Sequence, residues 1–385
     1  MLKGFKKWLQ NSRGFLFSRY TKDSQETQEP ERTLIDLPED VRRKLVDKIE
    51  NLPSNPANRE AIVSTLDEAF DRWRADPHNN NNNNSVVILS SPVVAVARIL
   101  SQTLEEWSSQ KQIPLNLLPF SARPTKVETI ESKLKYYLES EPQRLEALVI
   151  PNLSWCFLRS LEGLKGIEYL QSLLCNGSPD RFWIIGGGQV GWEYLNSVCN
   201  IEAYCGKVFA LPEIEAARFR EWFEPIINDL GIVFDDPSID RKLLKGDKDN
   251  QTHYFEHLAD ISNGVSTVAV QAFLKSMRYE EADPEQNIEQ DRIVAQTPVL
   301  PELPELDSDD RYLLYSLLLH GDLTISALAE SLGDTESQVQ ARVQVLRHEG
   351  AIEQRGQTLK INPIYYPKIK RNLAGNNFVI DEHLT

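Results

Sequence analysis

The sequence predicts an α/β protein: a parallel sheet with helices on both faces, a small helical lid, and a separate C-terminal unit of helices and a short hairpin. Three observations carry this expectation. Short runs of β-formers alternate with stretches whose apolar residues recur at helical spacing, the pattern of parallel strands joined by crossover helices. The first run, residues 86–89 (VVIL), is wholly apolar, as a strand buried on both faces should be. Residues 279–306, rich in acids and prolines, then separate the α/β part from a segment of different character.

In chain order, residues 1–32 form a basic amphipathic segment and a polar linker. Residues 33–236 make the α/β domain. It opens with two helices, marked by Val41, Leu45, Ile49 and Leu52 and then by Ile62, Leu66, Phe70 and Trp73. The Asn tract at 79–84 is a loop. The first strand, 86–89, runs into a helix marked by Val96, Ile99, Leu100, Leu104 and Trp107. Further strands are expected at 115–118, 145–150, 181–185 and 207–211, with helices at 130–138, 161–174 and 214–230 between or after them. Residues 237–278 hold a lid of two helices broken at Asn263 and Gly264. Residues 279–306 are a linker, 307–371 the C-terminal unit and 372–385 a tail.

With 385 residues, of which 41% are hydrophobic and 26% charged, the chain is long enough for two or three domains of ordinary soluble composition. Its net charge of −15 excludes a chain that coats nucleic acid indiscriminately. Cys156, Cys175, Cys199 and Cys205 form no C-x-x-C pair, which argues against a zinc site or disulfide framework and for a reducing compartment. No apolar run is long enough to span a membrane and no secretory leader is recognisable, so the expected location is the cytoplasm.

The turn after the first strand decides the chemistry. A strand, a tight turn and an amphipathic helix form the scaffold on which G-x-x-x-x-G-K-[ST] cradles phosphate. Glycines open the backbone N–H groups, Lys neutralises charge and Ser/Thr holds Mg²⁺. Here the turn is Ser90-Ser91-Pro92, with no Gly and no Lys before the helix. The third strand, where an acidic pair would handle Mg²⁺ and water, ends at Pro151-Asn152 without an acid.

Residues 311–362 carry a winged-helix pattern. Two helices lead to a third, 335–349, with Val339, Val343 and Leu346 inward, and Gly350 and Gly356 shape the wing. Gln338, Ala341 and Arg342 on the third helix, with Arg355 and Lys360 in the wing, are the candidate contacts to DNA or to a protein partner. From 307 to 371 there are nine acids and eight bases, which leaves both kinds of partner open.

The order of elements, with RFWIIGGG at 181–188, KVFALPEIE at 207–215 and N-G-x-x-x-x-A from Asn263, resembles the AAA/STAND class of P-loop ATPases in the arrangement shared with origin-recognition-type ATPases. The resemblance implies a P-loop-type parallel sheet with lid and winged helix, and a regulatory or assembly role. Its nucleotide-handling residues have no counterparts here. The expectation is a pseudo-ATPase with no obligatory cofactor, retaining ATP or ADP at most without hydrolysis.

Two other constellations bear on function. Gly186-x-Gly188-x-x-Gly191 after a strand fits a dinucleotide fingerprint, with Glu213 near the ribose position, and a nicotinamide- or flavin-dependent oxidoreductase is the enzyme alternative. A glycine turn leaving the sheet is the plainer explanation. His253 and His257 share a helix face without a third ligand, so no metal site is expected.

Residues 1–22 carry six bases and no acid, leaving −21 on the remainder. Lys3, Lys6 and Lys7 alternate with Phe5, Trp8 and Leu9, the make-up of an interfacial helix on an anionic membrane. A basic tail, or a helix on the protein's own acidic surface, has the same composition. The leading expectation is therefore a non-catalytic regulatory or scaffold protein with a protein partner, peripheral at the cytoplasmic membrane face. A DNA-binding transcriptional regulator stands as the second reading.

Overall fold

The computed structural model describes residues 34–76, 84–139, 142, 144–176, 178–234, 250–282 and 290–378. Its centre is a parallel sheet of five strands, β1 (Ser85–Ser90), β2 (Leu115–Leu117), β3 (Glu146–Ile150), β4 (Arg181–Gly188) and β5 (Lys207–Ala210), in the order β2-β3-β4-β1-β5. This is the P-loop-type α/β fold expected from the sequence. The register sets Val86 beside Ile184 and Lys207, and Ala147 beside Phe182.

Because strand side chains alternate between faces, the sheet makes two cores. One face carries Val87, Leu89, Leu148, Ile150, Trp183 and Ile185; the other carries Val86, Ile88, Ala147, Val149, Phe182 and Ile184. Helices α2 (Pro56–Ala75) and α3 (Val96–Lys111) cover the second face. There Phe70, Trp73, Trp107 and Phe182 pack ring against ring at centroid distances of 5.3–5.5 Å. Each such ring contributes about 1.5–3 kcal/mol of burial. The helix α2 starts with Asn55 as its cap and Pro56 at its first position.

The first face is covered by α4 (Thr129–Leu138), α5 (Lys165–Asn176) and α6 (Gln189–Cys199). The helices α1 (Glu39–Glu50), α7 (Ala216–Leu230), α8 (Asn250–Ser262) and α9 (Ser266–Ser276) add their apolar faces to the same core. The break between α8 and α9 falls at Asn263 (φ 49°) and Gly264 (φ 63°), as the sequence indicates.

Two stretches differ from the sequence expectation. Part of the acidic, proline-rich stretch is ordered sheet: β6 (Met277–Glu280) and β7 (Arg292–Ala295) form an antiparallel pair, joined by single bridges to Ile35 and Val233. Met277, Val294 and Ala295 are buried there. Arg278 accordingly lies on a strand, not a lid helix. The expected tail begins instead as helix, treated below.

The C-terminal unit comprises α10 (Ser308–His320), α11 (Ile325–Leu332), α12 (Glu336–His348) and the hairpin β8 (Ile352–Arg355) with β9 (Thr358–Ile361). Leu323 bridges to Leu359 as a third, one-residue strand. Three helices and a wing are the expected arrangement. Capping boxes at Asp307/Asp310 and Thr335/Gln338 start α10 and α12. A helix α13 (Tyr366–Ala374) then carries the chain past residue 371, with Tyr366, Ile369 and Leu373 buried.

Candidate functional site

In open parallel sheets, ligands bind outside the carboxyl ends of the strands. Here that end is crowded by protein. After β1 the chain turns through Ser90-Ser91-Pro92 into α3, and the Val94 N–H closes the turn on the Ser91 carbonyl at 2.9 Å. Ala95 begins α3 with no side-chain cap. Arg98, on the first turn of α3, donates to the Glu50 and Leu52 carbonyls at 3.1 and 2.9 Å.

After β3, Asn152 accepts from the Ser154 N–H at 3.0 Å and starts a 3-10 turn, Leu153–Cys156. Arg123 reaches under this turn. Its guanidinium donates to the carbonyls of Phe157 at 2.9 Å, Ser154, and Asp322 at 2.8 Å. Burial pushes its pKa down to about 10, against the weaker pull of Asp322. It thus ties the β2–α4 loop and the β3 exit to the winged helix.

His320, the last residue of α10, is fully buried beside Arg123 and Arg159. Its Nε2 accepts from the Arg159 N–H at 3.3 Å, and its ring lies 4.9 Å from that of Phe157. Arg159 donates in turn to the Ser331 carbonyl at 3.1 Å. Desolvation, helped by both guanidiniums, holds the His320 pKa well below its ordinary value, so the ring is neutral.

Two of the three fingerprint glycines serve this packing. Gly186 and Gly188 lie on β4, which runs three residues further than the RFWII stretch. A Cβ on Gly186 would sit 2.5 Å from the Pro151 carbonyl oxygen and 2.6 Å from Leu100 Cδ1. A Cβ on Gly191 would sit 2.6 Å from the Leu319 carbonyl oxygen, while the nearest atom to one on Gly188 is Pro92 Cα at 3.7 Å. The α6 N-terminus, where a pyrophosphate would rest, faces protein backbone. Close approach of the β3 exit at Gly186 and of α10 at Gly191 leaves no room for a Cβ at those two positions, which accounts for two of the three fingerprint glycines, Gly186, Gly188 and Gly191, by backbone packing.

A cleft of about 570 Å³ remains between the start of α3, the lid helix α9 and the wing, with Pro92, Trp155, Trp222, Thr267 and Lys360 among its walls. This volume is in the range of small-molecule sites. Among the described residues no cluster of His, Cys, Asp and Glu could hold a metal, and no helix is long and apolar enough to cross a membrane. His257 Nε2 is engaged with the Pro298 carbonyl at 3.1 Å.

On the winged helix, Gln338 and Ala341 are exposed on α12. Arg342 is held by three carboxylates: Asp307 at 2.9 Å, Asp309, and Asp310 at 3.3 Å. They raise its pKa and leave its guanidinium oriented toward the start of α10. Arg355 and Lys360 lie on the wing at the cleft. They face Glu353 at 4.0 Å and Asp322 at 3.9 Å respectively. Lys3, Phe5, Lys6, Lys7, Trp8 and Leu9 lie outside the described residues.

Sequence reasoning missed Arg123, Arg159 and His320. No motif contains them, and the only signal was the apolar run YLLYSLLLH, of which His320 is the polar end.

No protein-family model and no curated protein matches the chain. Among solved structures, it is similar to a RuvB variant of Thermotoga maritima at 15% identity, covering 81% of this chain and 94% of that one, with a TM-score of 0.34. It is similar to Cdc6p of Pyrobaculum aerophilum at 13% identity, covering 89% and 99%, with a TM-score of 0.34. The ADP form of the Aeropyrum pernix ORC2 protein matches at 11% identity, covering 89% and 99%, with a TM-score of 0.38.

Proposed function

We propose that the protein is a non-catalytic, P-loop-derived regulatory or scaffold protein. Its winged helix docks a protein partner, and residues 1–22 hold it at the cytoplasmic face of an anionic membrane. One observation carries the non-catalytic part: between β1 and α3 there is neither a glycine nor a lysine, and the exit of β3 offers Pro151 and Asn152 where acids would be needed. Phosphoryl transfer depends on positioning and charge stabilisation by such groups. ATP or ADP is at most bound and not turned over. The test is Mg²⁺-dependent ATP hydrolysis by the purified protein. No turnover is expected; turnover abolished by substitutions at Ser90 or Ser91 would overturn the reading.

A protein-docking role for the winged helix is supported by the retention of Arg342 among three carboxylates and by exposed Ala341 and Val345 on α12. The DNA-binding reading has one observation in its favour: Arg355 and Lys360 stand on the wing with substantial side-chain exposure. Salt-sensitive duplex binding separates the two.

A further inference from the structure

A surface groove of about 490 Å³ lies between the last turn of α1, the loop into α2 and the middle of α7. Its accessible apolar surface comes from half-buried Leu52 and three exposed prolines, Pro53, Pro56 and Pro225. Trp222 is buried in its wall, and its Nε1 donates to the Pro53 carbonyl at 2.9 Å, which fixes the loop against α7.

The donors at this groove are engaged. Lys48 pairs with Asp229 at 2.6 Å, and Asn51 Nδ2 donates to the Asp47 carbonyl at 2.9 Å. The acceptors are less well matched. Among the described residues the Asp47 carboxylate meets no cation, only Asn51 Nδ2 at 3.3 Å. Pro225 sits inside α7 and has no N–H to close the helical hydrogen bond onto the Glu221 carbonyl, and Glu221 lines the same groove. A fitting occupant therefore brings apolar surface, hydrogen-bond donors and positive charge.

Residues 1–22 have this chemistry: six bases, no acid, and Phe5, Trp8 and Leu9 among the lysines. They are also within reach. The α1 stretch from Glu39 to Asp47 advances about 12 Å and residues 34–39 at most about 18 Å, so residue 34 lies within about 30 Å of the groove. Residues 23–33, extended, cover about 36 Å. A tether of this length keeps its end at a high effective concentration, so a weak contact suffices to fill the groove. We propose that residues 1–22 of the same chain dock in this groove, with the rings of Phe5 and Trp8 against the prolines and Lys6 or Lys7 at Asp47. The proposal rests on the reading of this segment as a docking element: the groove holds it when no anionic surface does.

The experiment is photo-cross-linking of the full chain, without lipid, with p-benzoylphenylalanine in place of Leu9, followed by digestion and mass spectrometry. Cross-links should fall on residues 47–56 or 221–226 of the same chain. Asp47→Lys, an exposed change, should lower their yield about fivefold, the upper range for one exposed ion pair. Pro225→Ala, which restores the helical hydrogen bond and removes an exposed ring, should lower it as well. A thermal melt of each variant checks folding. No cross-link, cross-links elsewhere or only between two chains, or equal yield in wild type and both folded variants would overturn the proposal. Vesicle sedimentation, read separately, tests the membrane role without deciding this one.

Discussion

Protonating His320 should loosen the attachment of the winged helix, and the size of the effect follows from its surroundings. The ring is completely buried beside two guanidiniums and its Nδ1 has no partner, so the folded protein keeps it neutral. In the unfolded chain the same imidazole takes a proton below its ordinary pKa of 6.5. The folded-state pKa is depressed, so the contribution to stability is complete above about pH 6.5 and is lost as pH falls toward the folded value. Linkage gives at most about 1.4 kcal/mol per pH unit in that window. Urea denaturation at pH 7, 6 and 5 should show this loss in the wild type and a shallower dependence in His320→Gln, which keeps a polar side chain but cannot titrate. Equal pH dependence of the two proteins between pH 7 and 5 would refute the assignment of a buried neutral imidazole.

Gly191→Ala should destabilise the protein by about 1–3 kcal/mol, because its methyl group would meet the Leu319 carbonyl; chemical denaturation reads this, and an unchanged midpoint would contradict the close approach of α6 and α10. Arg123→Met should cost about 3 kcal/mol, since the carbonyls of Ser154, Phe157 and Asp322 lose their donor while the desolvation of a buried charge is relieved. Arg342→Ala should leave any duplex-DNA affinity unchanged, because that guanidinium is already committed to three aspartates, whereas a loss of about 1–3 kcal/mol would mean that it reads a base. In liposome co-sedimentation, the wild type should pellet with anionic but not neutral vesicles, and a protein lacking residues 1–22 should stay in solution; identical behaviour of both would remove the membrane role.

Much of the sheet was legible because its three inner strands contain short apolar runs with a strand on either side. β1, β3 and β4 needed nothing more than composition and length to be found. The β6–β7 pair was hidden, since its alternation is short and the surrounding acids and prolines have the composition of a linker. The continuation of α13 was masked by Lys368, Lys370 and Arg371, although Tyr366, Ile369 and Leu373 keep helical spacing. At the site, the missing phosphate cradle was plain from the turn at Ser90–Pro92. What fills the neighbouring space was not. Arg123, Arg159 and His320 lie far apart in sequence, and two of them act on backbone carbonyls, which leave no trace in side-chain pattern. The glycine fingerprint is ambiguous for a related reason: a backbone approached by phosphate and a backbone approached by another backbone demand the same residue.

The apolar cluster on one face of the sheet continues without interruption through α10 into the winged helix, from Leu45 to Leu373. Two modules joined only by a tether melt separately, whereas modules sharing one interior melt together. Heating this protein should therefore give a single calorimetric transition for the α/β part and the winged helix, with an enthalpy matching its van't Hoff value. The C-terminal unit, cut free at the stretch that precedes it, would expose the apolar flank of Leu317, Leu318 and Leu319. A proteolytic nick there would consequently leave the two pieces bound to each other, and the fragments would copurify until denatured.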